Sequence, residues 1–199
     1  MLITGIKSRP IYTKLTPDLG GRHHLLVGQE CGADALLRLL QAMPADADVQ
    51  VLYAIESLSG TDRGDELRAR GVPDLRVYPT QADTFAALDH TLAECVMGTR
   101  LYIAGSESFI GLAVQAAMKY NLNADEVQRE QCGSAARRVF CIHCKAANEN
   151  VKTNVVACIG CSRHLLVRDH YSRRLGAYMG VMVDAEAPGA LPTIKEVFA

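Results

Sequence analysis

From His24 to about Cys132, short apolar runs alternate with stretches in which apolar residues return every three or four positions. Leu25, Leu26 and Val27 predict a short buried strand. A helix follows, carrying Leu36, Leu37, Leu39, Leu40 and Met43, with Asp34 or Gly32 near its cap. Val49 to Ala54 reads as a second strand, Asp65 to Arg70 as a short polar helix stopped at Gly71, and Leu75 to Tyr78 as a third strand between two prolines. Thr84 to Met97 places Phe85, Leu88, Leu92 and Cys95 at helical spacing, and Arg100 to Ala104 is a fourth strand. Ser106 caps a last helix bearing Phe109, Leu112, Ala113, Ala116 and Tyr120. Nearly continuous apolar strands alternating with helices predict an α/β fold with a mainly parallel sheet covered on both faces.

The flanks read differently. Residues 1–21, with Pro10, Pro17, Gly20 and Gly21, form an N-terminal arm. The α/β domain is placed at 22–136, with a hinge near Gly133 to Arg138. A small ribbon occupies 137–182, and a tail with Pro188, Gly189 and Pro192 occupies 183–199. A chain of 199 residues that is 49% hydrophobic can bury a genuine core. Its formal net charge of −1 is not that of a protein built to coat nucleic acid or an anionic membrane. No apolar run approaches the roughly 18 residues of a bilayer span, and the first ten residues lack the apolar core of a secretory signal. A cytoplasmic location is expected.

Four of the seven cysteines change the picture. Cys141-Ile-His-Cys144 and Cys158-Ile-Gly-Cys161 are two CxxC knuckles. Each knuckle brings two thiolates together, and a hairpin over Lys145 to Ala157 can present the second pair to the first as a tetrahedral four-thiolate site. Asn148, Asn150 and Asn154 are the turn formers of that hairpin, Val155 and Val156 its strand formers. Zinc and a single iron both suit four thiolates. Glycines commonly follow such knuckles and free their amides to face the sulfurs; here Lys145 and Ser162 stand there. That departure from a tuned redox site favours structural zinc over mononuclear iron. His143, His164 and His170 read as surface or supporting groups. Cys31, Cys95 and Cys132 are scattered and read as small buried hydrophobes.

Between Arg137 and Leu175 the basic residues Arg137, Arg138, Lys145, Lys152, Arg163, Arg168, Arg173 and Arg174 face only Glu149 and Asp169. A basic docking face for an acidic partner is expected, with Tyr171 and Tyr178 suited to an interface. No Ser-His-Asp or Cys-His arrangement stands out, and His90 reads as a polar-face residue.

Residues 24–132 resemble the pyridine-nucleotide half of ferredoxin-reductase-like flavoproteins. The first strand and turn, LLVGQECGADALLRLL, keep Gly28 and Gly32 of that family's glycine-rich turn but carry Gln29 and Glu30 between them. Asp34-Ala35 replaces the family's Thr-Pro, and Glu56 stands where an arginine usually meets the nucleotide. Ala104, Gly105 and Ser106 replace a Cys-Gly-Pro turn; Glu130 is kept, and Cys132 replaces an aromatic. Helix N-termini favour anions, so Glu30, Asp34 and Glu56 oppose a pyrophosphate. The resemblance implies a retained fold with lost nucleotide binding.

With the run CIHCKAANENVKTNVVACIGCSRHLLVRDHYSRRLGAYMGV, the chain as a whole resembles the A subunits of bacterial dimethylamine monooxygenases. The resemblance implies a non-catalytic or electron-relay subunit of an NADPH- and O2-dependent enzyme that converts dimethylamine to methylamine and formaldehyde. It places FMN and iron–sulfur centres on a partner reductase and haem on a partner oxygenase. The competing readings are a standalone NAD(P)H-dependent reductase and a zinc-ribbon nucleic-acid binder.

Overall fold

The computed structural model describes residues 8–56 and 63–198. They fall into two units, Tyr12–Gly133 and a second made of the N-terminal residues through Ile11 with Ser134 onward.

The first unit is a parallel five-stranded sheet with helices packed against it. Its elements are β1 (His23–Gln29), α1 (Gly32–Ala42), β2 (Val49–Ala54), α2 (Gly64–Ala69), β3 (Asp74–Tyr78), α3 (Gln81–Ala93), β4 (Thr99–Gly105), α4 (Glu107–Ala117) and β5 (Val127–Gln131). The strand order is β3-β2-β1-β4-β5, so the order reverses between β1 and β4. Leu26, Val51, Tyr53 and Tyr102 join Leu36 and Leu39 of α1 in one core layer. Leu25, Val27, Leu52, Leu101 and Ile103 meet Leu88, Phe109 and Ile110 in the other. The sheet is thus buried on both faces, which is why its strands are apolar runs rather than alternating patterns.

Ser106 caps α4 by accepting from the Phe109 amide at 3.3 Å. Helix α3 begins earlier than periodicity suggested, because Thr80 caps it by accepting from the Asp83 amide at 3.1 Å. It ends at Ala93, leaving Val96 and Met97 exposed. Residues 12–18 lie along this unit. The Leu15 amide donates to Glu130 at 2.7 Å, and Thr16 exchanges hydrogen bonds with Gln128.

His24 is buried at the start of β1, its Nδ1 3.1 Å from the Tyr102 hydroxyl. Burial, with the neighbouring charges of His23 and Arg100, holds its pKa below the ordinary 6.5 against Asp18 and Asp48. Above pH 6.5 it is neutral folded or unfolded. Below that, the unfolded chain takes up a proton that the folded chain resists, so stability falls with pH until the lower, folded pKa is reached. His24→Asn should flatten that part of the stability–pH profile, measured by urea unfolding between pH 7 and pH 5.

The second unit is a five-stranded sheet in the order β7-β6-β10-β9-β8. It comprises β6 (Arg137–Cys141), β7 (Ala147–Val151), β8 (Val155–Ala157), β9 (His164–Ser172) and β10 (Ala177–Met182). Its cores are small. Val139, Val151, Val167 and Tyr178 form one, and Cys141, Cys158 and Leu165 the other. Arg137 is buried with its guanidinium between the rings of Tyr178 and Phe198, 3.9 and 3.8 Å from their centroids, and pairs with Asp169 at 2.8 Å. Tyr171 packs edge-on against Tyr178, so these tyrosines serve the core rather than a free interface. Residues 195–198 fold back on the strand connection, where the Val197 and Phe198 amides both donate to Lys152 O at 2.9 Å. No helix among the described residues is long and apolar enough to cross a membrane.

Candidate metal centre

Two hairpin turns build the site. The β6–β7 turn carries Cys141 and Cys144, and the β8–β9 turn carries Cys158 and Cys161. Each turn closes with an amide reaching back to the first cysteine's carbonyl. Lys145 N–H donates to Cys141 O, and Ser162 N–H to Cys158 O, both at 2.9 Å. Lys145 and Ser162 adopt the left-handed backbone conformation, at φ 68° and 58°, in the places where glycines are usual. The knuckle geometry therefore survives side chains that the sequence alone took for a departure. Gly160 is the glycine the site requires, since a Cβ there would lie 2.8 Å from the Ala146 side chain and 3.0 Å from Cys144 Sγ.

β7 and β8 are the opposite edges of the sheet, and the turns beside them bring their thiols together. Asn148 of β7 joins them. It is 2% exposed, donates to Val139 O at 3.1 Å and accepts from the Ile159 amide at 2.9 Å. Its type and polar surroundings predict a turn former; it is instead a buried strand residue of β7 fastened to the second knuckle. Asn154 is at a turn, where its side chain holds the tail through Thr193 O and the Lys195 amide. Asn148→Ala would leave the Ile159 amide and Val139 carbonyl short of a partner, at about 1–3 kcal/mol. We expect a lower thermal midpoint and faster metal loss to a chelator.

The four Sγ atoms lie within 4.8 Å of one another, with Cys144 and Cys158 at 3.5 Å and Cys141 and Cys161 at 3.9 Å. A tetrahedron with metal–sulfur bonds of about 2.3 Å has sulfur–sulfur edges of about 3.8 Å, so the donors fit one such ion. Among the described residues no histidine joins this cluster. His143 is exposed, with Nδ1 taking the Arg163 guanidinium at 3.1 Å. For Cys144 the Ala146 amide favours the thiolate, but burial and the thiols of Cys158, Cys161 and Cys141 prevail and push it up to about 12. For Cys158 burial opposes ionisation, yet the amides of Gly160 and Cys161 and the Cys144 and Cys161 thiols bring it down to about 6. Cys161 is likewise held below its ordinary value, first by the Arg163 amide, while Cys144 resists ionisation, so full ionisation of the set calls for a cation.

In the α/β unit, the acidic residues at the carboxyl ends of the strands are engaged by the chain itself. Glu30 is 8% exposed in the left-handed conformation, its carbonyl accepting from the Tyr53 hydroxyl. Glu56 accepts from the first amide of α3, that of Gln81, at 2.8 Å. Glu107 at the start of α4 accepts from the Tyr12 hydroxyl at 3.1 Å. Glu130 is bound by Arg38. Cys31 and Cys132, read from sequence as separate buried hydrophobes, are instead bonded to each other as a disulfide, their Cα atoms 6.0 Å apart. Cys95 is free and half-buried, as a small hydrophobe would be.

The N-terminal domain of DmmA-like dimethylamine monooxygenase subunits matches residues 4–127, and the C-terminal domain of the same subunits matches residues 138–181. The chain belongs to the DmmA-like family. One curated relative, the heme-dependent oxidative N-demethylase delta subunit of Ectopseudomonas mendocina (strain ymp), is 36% identical over 111 residues. That alignment spans 56% of this chain and 63% of the relative. Among solved structures, phthalate dioxygenase reductase is similar at 14% identity over 83% of this chain and 66% of that one, with a TM-score of 0.49. The ferredoxin reductase of carbazole 1,9a-dioxygenase is similar at 17% identity over 58% and 34%, with a TM-score of 0.42. The parallel α/β sheet and the four-cysteine ribbon agree with the fold class expected from sequence.

Proposed function

We propose that this chain is a non-catalytic subunit of an oxidative N-demethylase acting on dimethylamine, and that its ribbon holds one structural zinc through Cys141, Cys144, Cys158 and Cys161. The convergence of four thiols inside a unit whose other core is small carries the reading. Small domains of this kind commonly depend on a metal to fold. Bound there, zinc would supply no redox chemistry, only a rigid crosslink between the two hairpins.

The family and the relative named as the delta subunit of a heme-dependent N-demethylase support a place in a multi-subunit enzyme, whose reductase partner would bring FMN and iron–sulfur centres and whose oxygenase partner would bring haem. Such a complex would be cytoplasmic. Ile142 and Ile159 are 43% and 78% exposed at the knuckle tips, beside Lys145, Arg163 and His143. An apolar centre with a basic rim suits docking on an acidic partner subunit. A second reading, a mononuclear iron relay, draws support from the half-exposed Cys144 and Cys161 and from the Gly160 amide 3.4 Å from Cys158 Sγ.

Reconstitution tests the assignment. Dimethylamine-dependent NADPH oxidation by the reductase and haem components should require this chain, which alone should bind no NADPH. Full turnover without it would overturn the reading. Glu30→Gly should still bind no NADPH in calorimetry, because Glu56 and Glu107 remain at their helix starts. Tight binding by that variant would make a single charge the whole obstacle.

A further inference from the structure

We propose that Cys31 and Cys132 form a reversible thiol–disulfide couple, an exchange site for thiol reductants that is separate from the four-cysteine ribbon. The bridge joins the β1–α1 turn to the residue just after β5. Between those strands lies β4, whose last residue, Gly105, accepts from the Cys132 amide at 2.9 Å. The bridge therefore crosses the carboxyl ends of the strands where the strand order reverses, the place at which open α/β sheets present reactive groups to ligands.

Three features separate it from a buried crosslink. Both cysteines are half-buried, so solvent reaches the pair. Gly133, at φ 73°, lies against Cys31 Sγ, where a Cβ would stand 3.1 Å from the sulfur, so the sequence leaves that sulfur uncrowded there. Cys31 is also the N-cap of the eleven-residue α1, the positive end of whose dipole favours a thiolate. Of the acidic groups nearby, Asp34 and Glu130 are paired with Arg63 and Arg38, and the adjacent Glu30 takes the Gln29 side-chain amide at 3.5 Å.

The exchange follows from these positions. A reductant thiolate attacks Cys132 Sγ, and the Cys31–Cys132 bond breaks as a mixed disulfide forms on Cys132. Cys31 leaves as the thiolate at the start of α1, because the better stabilised thiolate is the better leaving group. A second reductant thiolate then attacks its own kind in the mixed disulfide and releases Cys132, which takes a proton from water. Two thiols become one disulfide, and the pair gains two electrons and, on full protonation, two protons.

The test uses the full-length, metal-loaded protein in glutathione mixtures from fully oxidised to fully reduced. Thiols are trapped by alkylation at each mixture and counted by mass spectrometry. The expected result is that Cys31 and Cys132 open together in one two-electron transition within the series, while the ribbon cysteines stay protected and Cys95 labels throughout. A purely structural disulfide resists the glutathione pool. A pair still closed in fully reduced glutathione would overturn the proposal, as would two free thiols in the oxidised mixture. In rapidly acid-quenched samples the glutathione adduct should lie on the Cys132 peptide; an adduct mainly on Cys31 would overturn the assignment of the leaving sulfur.

Discussion

Cys158→Ser is expected to empty the ribbon of metal and unfold it while the α/β unit remains folded. Cys158 is 3% exposed, and Cys141, Cys158 and Leu165 are the buried members of the core around the site. The amides of Ile159 and Gly160 lie beside it, turned to Asn148 and to the sulfur itself. A serine hydroxyl is a poor replacement for a thiolate on a soft-ligand metal. Structural zinc sites contribute about 10–16 kcal/mol of apparent binding free energy, far above what a core of this size can replace. Metal content should drop to a trace and the strand resonances of residues 137–182 should collapse to random-coil positions, with those of the parallel sheet unchanged. Cys141→Ser, which touches the other hairpin, should do the same. A folded, metal-replete Cys158→Ser ribbon would contradict a four-thiolate centre.

Gly32→Ala should be the most damaging single methyl in the α/β unit. A Cβ at Gly32 would lie 2.2 Å from the Ala104 carbonyl oxygen and 2.6 Å from its carbon. Those are backbone atoms in the centre of the sheet, held by β1 on one side and β5 on the other, so no rotamer change relieves the clash. Either α1 moves away from Leu26, Tyr53 and Tyr102, or β4 leaves its register. Overpacking of this kind costs about 1–3 kcal/mol and occasionally more, and the rigidity here puts the expected loss at about 3 kcal/mol. Chemical denaturation of Gly32→Ala checks it. Gly28→Ala is the control, because its nearest neighbour is the movable Leu36 side chain. It should lose less.

The same two regions mark how far the sequence could be read. The parallel sheet was legible because β1, β2 and β4 are buried on both faces and carry uninterrupted apolar runs. The metal candidates were legible because two CxxC spacings dictate local turns whatever surrounds them. Asn148 was not, since an asparagine in a polar stretch normally marks a turn; only the meeting of β7 with the second knuckle buries it. The Cys31–Cys132 bond spans 101 residues and depends on β5 lying two strands from β1, which no local pattern encodes. The role of Arg137 was hidden for a similar reason. Its partners Asp169, Tyr178 and Phe198 come from β9, β10 and the tail, so the basic segment that looked like one docking face is partly a buried cation held within the ribbon.

Elemental analysis of the purified chain, with a visible spectrum of the same sample, tests the central claim most directly. About one zinc per chain and no visible absorption is the predicted result for a structural four-thiolate site. About one iron with thiolate bands that bleach on reduction would keep the ligands but contradict the structural role, making the chain an electron carrier. A folded ribbon with neither metal would contradict the four-thiolate centre itself.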